Sequence, residues 1–328
     1  MPKRRDLFSH HLMAWYDQHK RDLPWRKSHE PYRVWVSEIM LQQTRVAAVI
    51  GHYHEFLRRF PTVEKLAAAR EASVLAAWSG LGYYRRARMM HAAAKVIVRE
   101  WGGKFPQSSQ ELHNLPGIGR YTAAAIASIA FDEPIAVVDG NVERVLQRFA
   151  GKRMVGEEVW ESANHLLDAK RPGDFNQAMM ELGAVVCTPR APSCLVCPIT
   201  ELCSTRGELK ATERTPAQKK CEIHYALVCR PKDRNKNRDD EVLLVQRTHN
   251  SSLMAGMWEL PEITRPEEGL SPDFTVRHSI TVTDYTVRVW KTSEAPASTG
   301  KWISTMRLRQ LALTGLARKI FRKANILT

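Results

Sequence analysis

Four cysteines and two carboxylates are the residues of this chain whose types and spacing suit chemistry. Cys187, Cys194, Cys197 and Cys203 follow the pattern C-x6-C-x2-C-x5-C within seventeen residues. Loops this short let four thiolates converge on one inorganic centre. Zinc sites more often carry two C-x2-C pairs, and only one is present here. By ligand type alone, an iron–sulfur centre and a zinc ion both stay open. Cys221 and Cys229 fall outside the spacing and read as core or surface residues. The first carboxylate, Glu38, lies in Val36-Ser-Glu-Ile-Met-Leu-Gln-Gln-Thr44, a helical stretch where it shares a face with Gln42 and has apolar neighbours on both sides. An isolated helical Glu is usually solvated, but an acid among apolar groups has a raised pKa and can hold a proton near neutral pH. The second, Asp139, stands in Val137-Val-Asp-Gly-Asn-Val142. There it reads as a helix N-cap, a position that also favours negative charge.

The elements that must position these groups are helical. From Asp6 to about Leu182 apolar residues recur at three- and four-residue spacing, as at Ala92, Val96 and Ile97, and Gly and Pro cut the run into short helices. Leu115-Pro-Gly-Ile-Gly-Arg-Tyr-Thr-Ala123 reads as a tight turn between two of them. Gly117 and Gly119 are expected to take backbone geometry closed to other residues and to expose N–H groups at a helix start, a nest for phosphate. Arg206 to Lys220 has no aromatic residue and the composition of a linker. Beyond it Glu222–Cys229, Val242–Arg247, Thr275–Thr281 and Tyr285–Trp290 read as strands, and Met306–Lys323 as one basic amphipathic helix.

The composition, 44% hydrophobic and 26% charged, is that of a soluble globular protein. The net charge of +14 favours a polyanionic partner, DNA or RNA before others. No apolar run approaches the ~20 residues of a membrane span. Met1-Pro-Lys-Arg-Arg-Asp6 has no apolar segment behind it, so secretion is not expected; if the source is prokaryotic, a cytoplasmic, nucleoid-associated location is expected. Cysteines kept in a reducing compartment are not expected to form disulfides.

Five motifs in order, spanning about residues 6 to 325, resemble the MutY family of adenine DNA glycosylases within the endonuclease III superfamily: the Glu38 stretch, the Leu115–Ala123 hairpin, the Asp139 segment, the cysteine spacing and the C-terminal third. The resemblance implies a mainly α helix-hairpin-helix glycosylase domain over 1–205 that includes an iron–sulfur loop at 187–203. A linker over 206–220 and a small α/β MutT (Nudix)-like domain over 221–328 would follow. It implies a [4Fe–4S] cluster on Cys187, Cys194, Cys197 and Cys203, which orders a basic loop facing DNA; Arg190 lies between two of these ligands and suits a phosphate. Gly117 and Gly119 would hold the DNA backbone.

In this family adenine is flipped from the duplex and its bond to the sugar is hydrolysed. Glu38 would protonate the base and Asp139 would stabilise the oxocarbenium-like sugar, with Tyr121 and Asn141 supporting them by hydrogen bonds. Bifunctional relatives carry Lys at the position of Tyr121, and tyrosine cannot form a Schiff base, so base removal without strand cleavage is expected. Trp25 and Arg26 of Leu23-Pro-Trp-Arg26 match the wall and a polar contact for adenine, although by type alone Trp25 is a core residue. Gln177 matches the residue facing the adenine amino group, and Gln43 and Tyr83 match probes into the base stack at the opposite base. Arg85, Arg86 and Arg88 suit the DNA backbone.

The C-terminal resemblance rests on Val242-Leu-Leu-Val-Gln-Arg247 and Leu253-Met-Ala-Gly-Met-Trp-Glu-Leu-Pro261. The glutamate-rich magnesium helix of a working Nudix hydrolase is missing after Pro261, so recognition of 8-oxoguanine is expected in place of pyrophosphatase activity. Many relatives carry Phe-Ser-His in the recognition loop. Here Arg277-His278-Ser279 stands in its place, and His278 and Ser279 become the candidates for reading the lesion. The expected partner is double-stranded DNA with A·8-oxoguanine or A·G mispairs, bound by a monomer. Two other readings are an endonuclease III-like pyrimidine glycosylase/lyase, opposed by Tyr121, and a non-catalytic mismatch-binding protein, opposed by the presence of both carboxylates.

Overall fold

The computed structural model describes residues 4–209, 219–230, 240–248, 250–251, 254–264, 270–280, 283–294 and 300–327. The chain forms two compact units: residues 1–67 with 92–212, and residues 68–91 with 213–328. The segment 68–91, which sequence alone places in the helical domain, therefore packs with the C-terminal residues. Most of the expected linker, residues 210–218, lies outside the described residues, as does Leu253.

The first unit holds α1 (Arg4–His19), α2 (Pro31–Leu41), α3 (Val46–Arg59), α4 (Val63–Ala67), α7 (Ser109–His113), α8 (Arg120–Phe131), α9 (Gly140–Ala150), α10 (Glu157–Leu166) and α11 (Pro172–Val185). The unit boundaries leave α5 (Glu71–Trp78) in the second unit and fall within α6 (Arg85–Trp101). No strand occurs among the described residues up to 209. Local chemistry sets the helix ends. Pro31 occupies the first turn of α2 while the Glu30 carboxylate accepts from the Tyr32 and Arg33 amides. Ser108 and Glu111 form a reciprocal capping box on α7. Phe8 and Leu12 of α1, Phe149 of α9 and Phe175 and Leu182 of α11 make one core, with Phe8 edge-on to Phe149 at 4.7 Å.

The second unit is built on a sheet of β1 (Lys219–Arg230), β2 (Glu241–Gln246), β3 (Trp258–Glu259), β4 (Phe274–Ile280), β5 (Thr283–Thr292) and β6 (Lys301–Ser304). The order is β3-β2-β1-β5-β4, with β6 also on β2; β1 and β5 run parallel and the other pairs antiparallel. Alternation puts Tyr225, Leu227, Val276, Val287 and Val289 on the face covered by α12 (Gly315–Lys323). The four expected strands are present, each within three residues of the anticipated ends.

The basic helix is not continuous. Thr305–Gln310 is a short 3-10 turn, and α12 begins only after Thr314, whose hydroxyl accepts from the Ala317 amide. A side-chain cap of this kind offers the backbone a helix start and interrupts the earlier turn. No helix of the described residues is long and apolar enough to cross a membrane.

Candidate active site

Glu38 sits midway along α2, 6% exposed, on a helix whose residues 34–40 are all buried. Burial disfavours its carboxylate strongly, the Tyr121 hydrogen bond partly offsets this, and the neighbouring Asp139 charge pushes the same way as burial. The outcome is a pKa pushed up to about 7. Tyr121 is the second residue of α8, which packs against α2. Its hydroxyl lies 2.8 Å from Glu38 Oε2 and 3.3 Å from the Met180 sulfur. Burial and the two carboxylates hold the phenol well above its usual range, so it acts as a neutral donor.

Asp139 caps α9, as its position in the sequence implies. One oxygen accepts from the amides of Asn141 and Val142 at 2.9 and 2.8 Å, and the other accepts from the Asn141 side chain at 2.8 Å. Residues 132–138 before it are neither helix nor strand. Asn176, 1% exposed on α11, accepts from the Val137 amide and donates to the Ile135 carbonyl and to Ser128. Gly183 lets α11 approach the start of α9 closely: a Cβ there would lie 2.6 Å from the Asn141 Cβ and 3.0 Å from its carbonyl oxygen. Arg144 then donates to the Asn141 side-chain oxygen and to the Gly183 and Cys187 carbonyls, each at 2.8 Å. The capped aspartate is thus joined to the cysteine segment through one guanidinium.

Cys187, Cys194, Cys197 and Cys203 line one cavity together with Val145, Arg148 and Ile199. Arg148, 5% exposed, donates to the Cys187 sulfur at 3.3 Å and to the Thr188 and Pro189 carbonyls. Burial pushes the Cys197 thiol up to about 11; a hydrogen bond from the Ile199 backbone opposes this and the other three cysteines add to it. Among the described residues no three His, Cys, Asp or Glu side chains are set around a single-ion position. Four sulfurs line this cavity, with a buried cation beside them. Arg190 is exposed in this loop, and so are Cys221 and Cys229 in the other unit.

The remaining candidates divide. Trp25 is buried, 7% exposed, edge-on to Tyr53 at 5.6 Å, which is the core role its type suggests. Arg26 is bound to Glu181 at 2.8 Å and to the Arg21 carbonyl. Burial opposes ionisation of Glu181, but hydrogen bonds from Arg21 and Arg26 outweigh it and hold its pKa down to about 2. Gln177 is half-buried on α11, and Gln43 is exposed with φ 53° just beyond α2. At the hairpin only Gly117 meets the expected conformational demand, with φ 73°. Gly119 is a helix cap with φ −85°, and a Cβ there would meet open space. What its missing side chain provides is an uncovered start to α8, not a special backbone angle.

Tyr83, His278 and Ser279 belong to the second unit. Tyr83 is 46% exposed with φ 47°. Of the three arginines after it, Arg85 is exposed, Arg86 donates to the Leu81 and Gly82 carbonyls, and Arg88 pairs with Glu71 at 3.0 Å. Two of the three therefore serve the fold. His278 and Ser279, adjacent on β4, point to opposite faces. The imidazole lies beside Gly315 of α12, whereas Ser279 is exposed and donates to Asp284.

Arg144, Arg148, Asn176 and Glu181 were not anticipated. The trace that Arg148 leaves in the sequence is a charge set among Val145, Leu146 and Phe149 on the buried face of α9.

A helical framework with a capped aspartate, a buried acid and a glycine hairpin defines a class, the helix-hairpin-helix base-excision glycosylases. Residues 36–165 match the model of the HhH-GPD superfamily of base excision DNA repair proteins. The structure of a thermostable thymine-DNA glycosylase superposes with a TM-score of 0.59 at 29% identity, covering 62% of this chain and 96% of that one. Within the class, the mouse adenine DNA glycosylase is 36% identical over 398 residues, covering 96% of this chain and 77% of the mouse protein. The rat adenine DNA glycosylase is 40% identical over 317 residues, covering 80% of this chain; the chain spans 61% of the rat protein's length. The chain belongs to the adenine DNA glycosylase family.

Proposed function

We propose that this chain removes adenine from DNA by hydrolysis of its glycosidic bond, acting on adenine opposite 8-oxoguanine and less efficiently opposite guanine. The observation that carries the reading is Glu38, a buried acid with a pKa of about 7, in the field of a capped Asp139. Adenine leaves poorly as an anion, so a ring nitrogen must take a proton as the C1′–N9 bond breaks. Protonated Glu38 supplies it. The Tyr121 hydroxyl orients the Glu38 carboxyl through Oε2. Asp139, its lone pairs turned toward backbone amides and Asn141, stands as the anion for the electron-poor sugar, and water completes the hydrolysis. No amine occupies the place of Tyr121, so there is no Schiff base and no lyase step.

In this reading α8, starting at Gly119, receives a DNA phosphate on its uncovered amides. Trp25, Arg26 and Gln177 border the extruded base and Gln43 enters the base stack; Tyr83, in the second unit, is read separately as a probe at the opposite base. The four cysteines would hold a [4Fe–4S] cluster, which would tie down the loop 187–203 that carries the exposed Arg190. Arg148 and Arg144 are the chain's own supports for that loop.

The C-terminal sheet is proposed as a MutT-like reader of the opposite base, with His278 or Ser279 at the lesion.

Single-turnover reaction with an A·8-oxoguanine duplex tests the function. Free adenine with strand breaks only after alkali is expected, and breaks without alkali would favour a lyase. No adenine at all would overturn the reading. With phosphate contacts dominating affinity, binding should weaken steeply between 50 and about 200 mM salt.

A further inference from the structure

Within the second unit the turn that carries Tyr83 is bolted to the start of α12. The Ser79 hydroxyl, 4% exposed, donates to the Leu313 carbonyl at 2.8 Å, and the Tyr84 hydroxyl donates to the same oxygen at 3.2 Å. The donors balance: Ser79 in turn accepts from Arg318 of α12, and Tyr84 accepts from the Gly80 amide at 3.4 Å. Leu313 is itself fixed, because Thr314 caps α12 and its amide donates to the Trp258 carbonyl of β3 at 3.0 Å. Arg88 adds a second tie, from the start of α6 to the Ala255 carbonyl.

On the opposite side of the turn the Gly82 carbonyl accepts from the Trp78 indole and from Arg86, each at 3.1 Å. Tyr83 is left outward in a left-handed conformation. A non-glycine residue keeps that conformation only where its surroundings enforce it.

We propose that Ser79, Tyr84 and Arg318 are positioning residues that make the C-terminal sheet the mount for the Tyr83 probe, so that the rate of adenine release from A·8-oxoguanine depends on this latch. The proposal rests on the reading of Tyr83 as a residue that enters the base stack. The latch acts on DNA only through Tyr83, which separates it from a general packing contribution. His278 touches the same helix start beside Gly315, so the lesion reader and the probe share one support.

The test is a double-mutant cycle on the full chain, with thermal melting as the folding control. Tyr84→Phe keeps the ring and loses the hydroxyl; Ser79→Ala attacks the same carbonyl from the other side. Each should slow single-turnover adenine release from A·8-oxoguanine by about three- to tenfold, the effect of one buried hydrogen bond. Neither should slow it further in a Tyr83→Ala background. Equal losses in both backgrounds, or no loss in either, overturn the latch.

Amide exchange across residues 79–84 gives a readout without activity. It should rise about tenfold in Tyr84→Phe, and unchanged exchange overturns the latch whatever the enzyme does. A wild-type chain that releases no adenine would instead remove the functional reading and leave the exchange result to decide the latch.

Discussion

In the helical unit, residues far apart in the chain converge: Glu38, Tyr121 and Asp139 come from three elements to one buried place. In the sheet unit the neighbours His278 and Ser279 part to opposite faces of β4. The difference follows from the two backbones. Packed helices can aim single side chains inward from several directions, and the buried Glu38 there has its pKa pushed up to about 7. A strand alternates its residues, so a two-residue motif on it presents one residue to each face. The helical unit is therefore suited to proton chemistry, and in the proposed reading the sheet unit recognises by one residue at a time.

The largest effect should come from removing either charge-bearing member of the buried centre. Glu38→Gln and Asp139→Asn should each lower single-turnover adenine release by about a thousandfold or more, within the range of general acid–base and charge-stabilising roles. Duplex affinity measured by fluorescence anisotropy should stay near wild type. Near-native release from either variant would remove that residue's role and with it the contrast between the two units.

The pH dependence sharpens the same point. In the proposed role Glu38 acts protonated, so release should fall about tenfold per unit as pH rises beyond the acid's pKa, and Glu38→Gln should lack that limb. The linkage to stability has a definite sign. The folded-state pKa lies above the unfolded value, so the native state binds the extra proton. The associated stability is whole below the unfolded pKa of 4.5 and is lost as pH rises through about 7. Glu38→Gln should thus raise Tm relative to wild type at pH 8 and much less at pH 5. An equal difference at both would show that burial does not set this group's titration.

Gly183 tests how closely the helices must approach. Gly183→Ala inserts a Cβ 2.6 Å from that of Asn141, and such overpacking costs about 1–3 kcal/mol. Displacing Asn141 also loosens the capped Asp139, so a loss of release on the order of tenfold is expected alongside the lower Tm. Lower stability with full activity would mean that Asp139 tolerates a shifted α9.

The parts of this site legible in the sequence were those built from local rules. Asp139 is an N-cap because an Asp before a helical run satisfies free amides, and Glu38 is conspicuous as an acid within Val36-Ser-Glu-Ile-Met40. The four cysteines are recognisable because short spacing forces them together. Supports that act over long sequence separations were not legible. Asn176 clamps the stretch before Asp139 from 39 residues away, and Arg144 reaches Cys187 across 43. Nothing in their own neighbourhoods marks them. The same holds for residues 68–91, whose helical pattern is correct but which belong to the C-terminal unit, where two of their hydroxyls meet one distant carbonyl. Gly119 was misread for a different reason: glycine is needed there for access, and residue type alone does not separate access from backbone freedom.

The smallest effects, and the finest test of the contrast, lie on β4. His278 is half-buried against the α12 start, and burial, with Lys319 adding to it, lowers its pKa, so at neutral pH it presents an uncharged imidazole. Ser279 is exposed with its hydroxyl committed to Asp284. If one face of the strand reads the lesion base, the two substitutions must be unequal. His278→Ala should reduce the rate preference for A·8-oxoguanine over A·G by about tenfold, as expected for a lost base contact. Ser279→Ala should change it by less than about threefold, since an exposed hydrogen bond contributes little. Losses in the reverse order would move recognition to the Arg277–Ser279 face. Equal losses would mean that β4 does not keep its strand geometry on DNA, and alternation would then no longer explain why the two units behave differently.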